Sequence, residues 1–129
     1  MPFFDTLEKR AREIDSLMCI SLDPQPTDLA EWTAEAALSF CQHLVNETAK
    51  YALAFKPNIA VFEELSDGFE ALQELIQSIP EDIPVILDAK TGYAPSVGET
   101  YPKLYYEILG ADAVTLLSLI HISEPTRPY

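Results

Sequence analysis

The apolar positions change their period repeatedly along the chain. From Phe3 to Ile14 they fall at Phe3, Phe4, Leu7, Ala11 and Ile14, the stripe of an amphipathic helix. The run "LMCISLDP" then reads as a short buried strand that ends at Asp23 and is stopped by Pro24. Helical spacing returns through Leu29, Trp32, Leu38, Cys41, Leu44, Val45 and Thr48, with Thr27 or Asp28 expected to cap its start. "YALAFKPN" predicts a second strand with Lys56 at its end. Phe69, Leu72, Leu75, Ile76 and Ile79 predict a helix from about Gly68 to Ile79, stopped by Pro80. "IPVILDAK" is the third predicted strand. Another helix is expected from about Val97 to Leu109, delayed or kinked by Pro102 and closed by Gly110, and "ADAVTLL" opens a fourth strand at Ala111.

Strand and helix alternate, and the strands are near-continuously apolar, as in a parallel sheet covered on both faces. The strand tips Asp23, Lys56 and Asp88 recur at about 33 residues, close to one unit of a (β/α) barrel. A doubly wound dinucleotide fold needs a glycine-rich turn after its first strand. "DPQPTD" stands there instead, and the whole chain has 4 glycines. The expected class is α/β, with a barrel preferred, and no linker or internal repeat interrupts it.

Charge narrows the function. The 129 residues carry a formal net charge of -13, which argues against a nucleic-acid partner. The apolar runs are short of a membrane span and the charged start is no signal peptide, so a soluble, cytoplasmic protein is expected. Lys9, Arg10, Arg12, Lys50 and Lys103 read as solvated helix charges, whereas Lys56 and Lys90 each follow an apolar strand-like run. In so acidic a chain, those two lysines are candidates for holding an anionic ligand. Cys19 and Cys41 read as reduced core thiols, and His43, two residues past Cys41, faces the wrong way for a shared metal. Trp32, Phe62, Phe69 and Tyr105 read as core or helix-packing aromatics, Glu63-Glu64 as a solvated helix start, and Asp112 as a loop or pairing residue.

The chemistry concentrates at the strand tips, where a (β/α) barrel carries its catalytic groups. Asp88 and Lys90 are two residues apart and point to one side of an extended strand, and Lys56 can reach the same mouth from the neighbouring strand. Alternating carboxylates and ammonium groups would set one another's ionisation and hold an anionic substrate. An ion pair that merely seals the end of the sheet fits the same spacing.

"LMCISLDP", "FKPNIAVFEE", "PVILDAK" and "LGADAVT", in this order, resemble the orotidine 5'-phosphate decarboxylase family, most closely its longer bacterial form. The resemblance runs from about Phe3 to Thr115. It implies a (β/α)8 barrel, dimeric with active sites at the interface, and cofactor-free conversion of orotidine monophosphate (OMP) to uridine monophosphate (UMP) in pyrimidine biosynthesis. It also implies residue roles. Lys56 would be the first lysine of a charged network, Asp88 the carboxylate facing the substrate's, Lys90 the acid that protonates C6, and Asp23 the partner of the ribose hydroxyls. No metal is implied.

The chain departs from the family in two places. Five residues after Asp88 the family has an aspartate that reaches across the dimer; here Tyr93 stands, with Thr91 in place of the usual arginine. A tyrosine is neutral at pH 7 and larger, which predicts a severe loss of decarboxylation. Beyond Thr115 the family continues through an Asn-Pro pair into further βα units. "LSLIHISEPTR", Leu117 to Arg127, instead resembles a translated transposon-end sequencing adapter. The expected organisation is therefore a partial barrel of about four strands over 1–116, lacking the phosphate loops, and a non-native tail over 117–129 in which His121, Glu124 and Arg127 have no role. Two alternatives stay open: a non-catalytic α/β module, and a related Mg-dependent sugar-phosphate lyase or synthase binding metal through carboxylates such as Asp88.

Overall fold

The computed structural model describes residues 2–91 and 100–116. The four apolar runs form strands β1 (Met18–Leu22), β2 (Ala52–Pro57), β3 (Ile86–Thr91) and β4 (Ala113–Leu116). β1 pairs in parallel with β2, and β3 with β4. Isolated parallel bridges, Phe55 to Val85 and Asn58 to Asp88, join β2 to β3, so the spatial order is β1-β2-β3-β4. Consecutive parallel neighbours joined by helical crossovers are the layout of a barrel segment, not of a doubly wound sheet whose order reverses.

The helices are α1 (Phe3–Ile14), α2 (Ala34–Thr48), α3 (Ile59–Glu63), α4 (Gly68–Ser78) and a turn α5 (Thr100–Pro102) that runs on as π-helix over Lys103–Ile108. α2 and α4 pack together over the sheet. Val45 and Cys41 from α2, and Leu72, Leu75 and Ile76 from α4, share one core with Leu22, Phe55 and Leu87 of the strands. Each large apolar side chain so buried contributes about 1.5–3 kcal/mol. Gly68 opens α4 where a Cβ would sit 1.7 Å from the Phe62 carbonyl oxygen, so the α3–α4 corner requires glycine. Gly110 ends the π-helical segment at φ 76°, with the Ala111 N–H donating to the Tyr105 carbonyl at 3.0 Å, as its C-cap reading expects.

Several expectations are corrected. α2 starts later than Thr27 or Asp28 suggested: Asp28 accepts from the Gln25 N–H at 2.8 Å in a 3-10 turn over Pro26–Asp28. The true cap is Thr33, whose Oγ1 accepts from Ala36 N–H at 3.2 Å. α3 was hidden in the "FKPN" motif, where Asn58 Oδ1 accepts from Ala60 N–H at 3.0 Å, so Glu63 and Glu64 close a helix instead of opening one. Phe69 is an exposed residue at the edge of its helical stripe, while Phe62 and Tyr105 are core and Trp32 packs partly buried against it. Cys41 is buried, but Cys19 is exposed near the start of β1. The predicted helix start at Val97 lies outside the described residues, as do Tyr93 and the tail from 117 onward.

Arg10 is the largest correction. It shares a face with Phe3, Leu7 and Ile14 and is buried beneath α1, not solvated. Its Nε donates to the Ala52 carbonyl at 2.8 Å, and its two terminal nitrogens reach the Ala49 carbonyl at 2.9 Å and Asp82 Oδ2 at 2.8 Å. Asp82 is largely exposed, so the two carbonyls carry most of the effect. The guanidinium thereby ties α1 to the start of β2 and to the loop before β3.

Two outcomes follow from this packing. Arg10→Ala should lower stability by about 2–3 kcal/mol, read as a drop in urea midpoint at unchanged slope. Arg10→Lys should not recover it, because an ammonium cannot span three separated acceptors. Burial, with a smaller push from the Asp23 charge, raises the Cys41 thiol to about 12, leaving roughly one thiolate in ten thousand at pH 8. The native chain should therefore react with an aromatic disulfide reagent at Cys19 alone, and at both thiols only in denaturant.

Candidate functional site

Parallel pairing brings the C-terminal ends of all four strands to one rim. β1 and β2 are in register with Ser21 opposite Lys56 and Leu22 opposite Pro57, so Asp23 emerges from β1 immediately beyond that rim. β3 and β4 place Asp88 opposite Thr115. The sequence-predicted residues Lys56, Asp88 and Lys90 converge there, while Asp23 lies exposed nearby and enters no ion pair among the described residues.

Asp88 is the centre of the cluster and is only 6% exposed. Its Oδ2 lies 3.1 Å from Lys90 Nζ and 4.0 Å from Lys56 Nζ. Its Oδ1 accepts a hydrogen bond from Thr115 Oγ1 at 2.8 Å. Burial by itself pushes this carboxyl upward. The hydrogen bonds from Thr115 and Lys90 and the charges of Lys90 and Lys56 outweigh it, leaving Asp88 below the usual carboxylate range and ionised at neutral pH.

Lys90 reaches Asp88 by a route different from the extended strand expected. Its φ is 45°, in the left-handed region that a side chain occupies at a cost of about 1–2 kcal/mol. The pairing steps from Asp88–Thr115 directly to Thr91–Leu116, so Ala89 and Lys90 form a bulge that β4 does not match. Lys90 is exposed at the rim, with its ammonium turned back to the buried carboxylate. Bulges of this kind re-aim side chains next to sites.

Thr115 went unassigned in the sequence, where it reads as one more β-branched residue of a strand. The available signal was a hydroxyl at the tip of the fourth strand, level with the charged tips of the others. Among the described residues, no group of three or more His, Cys, Asp or Glu side chains converges as a metal site, and no helix is long and apolar enough to cross a membrane. A groove of about 690 Å³ between the N-terminal ends of α2 and α4 is lined by Trp32 and by Glu35, Glu64, Asp67, Glu70 and Glu74. Its carboxylates repel anions, and it includes none of the strand-tip residues. The rim cluster has the opposite character: two ammonium groups against one carboxylate, in a chain of net charge -13.

The depressed Asp88 ionisation has a defined pH signature. A group whose folded pKa lies below its unfolded value stabilises the fold fully above the unfolded value, about 3.9, and loses that contribution as pH falls through the lower folded value. Asp88→Asn should lose about 1–3 kcal/mol at neutral pH. It should also lack this part of the acid-range decline when urea midpoints are measured as a function of pH.

Comparison with known proteins agrees with this geometry. The model of the orotidine 5'-phosphate decarboxylase / HUMPS family matches residues 16–124. The orotidine 5'-phosphate decarboxylase of Methylibium petroleiphilum is 40% identical over 121 residues, covering 90% of this chain and 44% of its own length. Among solved structures, a Toxoplasma gondii protein assigned as an orotidine-monophosphate decarboxylase superposes with a TM-score of 0.86 at 38% identity, over 89% of this chain and 40% of that one. The OMP decarboxylase of Leishmania donovani gives 0.80 at 42% identity, over 90% of this chain and 44% of that one. The chain spans less than half the length of these relatives, and its fold is the corresponding part of a TIM barrel. On the family match, the strand order and the rim cluster together, this chain belongs to the orotidine 5'-phosphate decarboxylase / HUMPS family.

Proposed function

We propose that the protein to which this chain belongs is an orotidine 5'-phosphate decarboxylase, and that the rim cluster is its reacting centre. The supporting observation is the buried, ionised Asp88 held between Lys56 and Lys90 at the C-terminal strand ends. A carboxylate so placed repels a substrate carboxylate beside it, and loss of CO2 relieves that repulsion. The C6–carboxylate bond breaks, its electron pair stays on C6, and the Lys90 ammonium stabilises the developing charge and then gives C6 a proton. Because that charge exists only after the bond weakens, Lys90 favours the transition state over the ground state. Lys56 holds Asp88 ionised and presents a second cation to the anionic nucleotide, and Asp23 is positioned beyond β1 for the ribose hydroxyls.

This chemistry needs no cofactor. The Mg-dependent alternative loses support because Asp88 is already engaged by Thr115 and two ammonium groups, which repel a dication. The non-catalytic module keeps the charge cluster but gives no reason for its excess positive charge. A homodimer with shared sites, action in the cytoplasm, and a non-native tail over 117–129 belong to the same proposal. So does the assignment of Tyr93 as a lesion, since the family places an aspartate there.

The test is a chain completed with the C-terminal half of a relative, assayed for release of CO2 from OMP. Turnover should rise on Tyr93→Asp, and Lys90→Ala introduced in that background should lower it by about a hundredfold or more. A barbiturate nucleotide should bind the completed chain and lose affinity on Lys56→Ala. If the completed Tyr93→Asp chain neither binds UMP nor releases CO2, the proposal fails and the module reading stands.

A further inference from the structure

We propose that Thr115 is the positioning residue of the rim cluster, its one hydroxyl both orienting the Asp88 carboxylate and holding the left-handed turn that delivers Lys90. The inference rests on the reading of Asp88 and Lys90 as reacting groups, and concerns how β4 sets them in place.

A hydroxyl has one hydrogen to donate and two lone pairs to accept with, and Thr115 Oγ1 uses all three on one short segment of β3. It donates to Asp88 Oδ1 at 2.8 Å. It accepts from the Ala89 N–H at 3.2 Å and from the Lys90 N–H at 3.4 Å. The two amides belong to the bulge, where the register steps from Asp88 to Thr91. A side-chain oxygen of β4 thus accepts from both N–H groups of that irregular step.

The two ends of this arrangement are coupled. With Oδ1 committed to β4, Oδ2 is the oxygen turned to Lys90 at 3.1 Å and Lys56 at 4.0 Å, the charged groups that face Asp88. The same hydroxyl that fixes the carboxylate's rotation holds the peptide on which Lys90 turns at φ 45°. Carboxylate and ammonium are thus referenced to a single atom. Lys90 alone, exposed on a long flexible stem, could not set that spacing.

The experiment is a carbon- and nitrogen-detected NMR titration of the full 129-residue chain, following the Asp88 carboxyl carbon and the Ala89 and Lys90 amides. Thr115→Val keeps the shape and removes all three bonds. It should raise the Asp88 midpoint toward the ordinary aspartate value and speed hydrogen exchange at both amides. Thr115→Ser keeps the hydroxyl and should leave both readings as in the parent chain. A folded Thr115→Val chain with an unmoved Asp88 midpoint overturns the proposal. If the valine variant does not fold, serine decides: a parental midpoint with parental exchange supports the hydroxyl, and a shifted midpoint overturns it. None of these readings depends on turnover or on nucleotide binding, so a failure of the decarboxylase reading leaves them interpretable.

Discussion

A carboxylate that is almost wholly withdrawn from water stays ionised only if its surroundings replace the hydration it has lost, and Asp88 is in that position. Thr115 replaces part of it with a hydrogen bond, and Lys90 and Lys56 replace the rest with charge. Each partner comes from a different strand or from a different side of the bulge. The cluster therefore exists only when β2, β3 and β4 are in their observed register, and a slip of one residue would turn Asp88 to the opposite face of the sheet. Removing one partner leaves the buried charge less fully compensated.

The opposite end of the sheet is tied by a second set of polar contacts. Arg10 bonds the carbonyls of Ala49 and Ala52 at the entrance to β2. Asp112 Oδ2 accepts from the Val85 N–H at 2.8 Å, while the Asp112 N–H donates to the Val85 carbonyl at 2.9 Å. These bonds settle backbone groups where strands begin and the ladder is incomplete. One end is thereby pinned by bonds to backbone groups, while the charged side chains of Asp88, Lys56 and Lys90 gather at the other. That division matches the general barrel pattern, in which the lower face serves stability and the upper rim carries chemistry.

Arg10 lies on the same helical face as Phe3, Leu7 and Ile14, a signal present in the spacing, yet its charge made it read as solvated. Only the approach of two β2-side carbonyls makes that face a place for a guanidinium. Cys19 lies in an apolar run, yet it is exposed, while Leu22 at the other end of β1 is core. Asn58 caps a short helix that the motif around it concealed. For Arg10 and Cys19 the missing information was what surrounds the residue in space, whereas the Asn58 cap is local, two residues from its partner.

Apart from α3, the order of strands and helices, the α1 boundaries, the parallel α/β class and the charged strand tips were determined by the sequence alone. They depend on local periodicity and on the cost of ending an apolar run in a charge, and neither requires knowledge of distant residues. The partnership of Thr115 with Asp88, the left-handed turn at Lys90 and the burial of Arg10 were decided only by the tertiary structure. Those features join residues 25 to 72 positions apart through side-chain hydrogen bonds. Such contacts are set by strand register and helix packing, which no local pattern in the chain encodes.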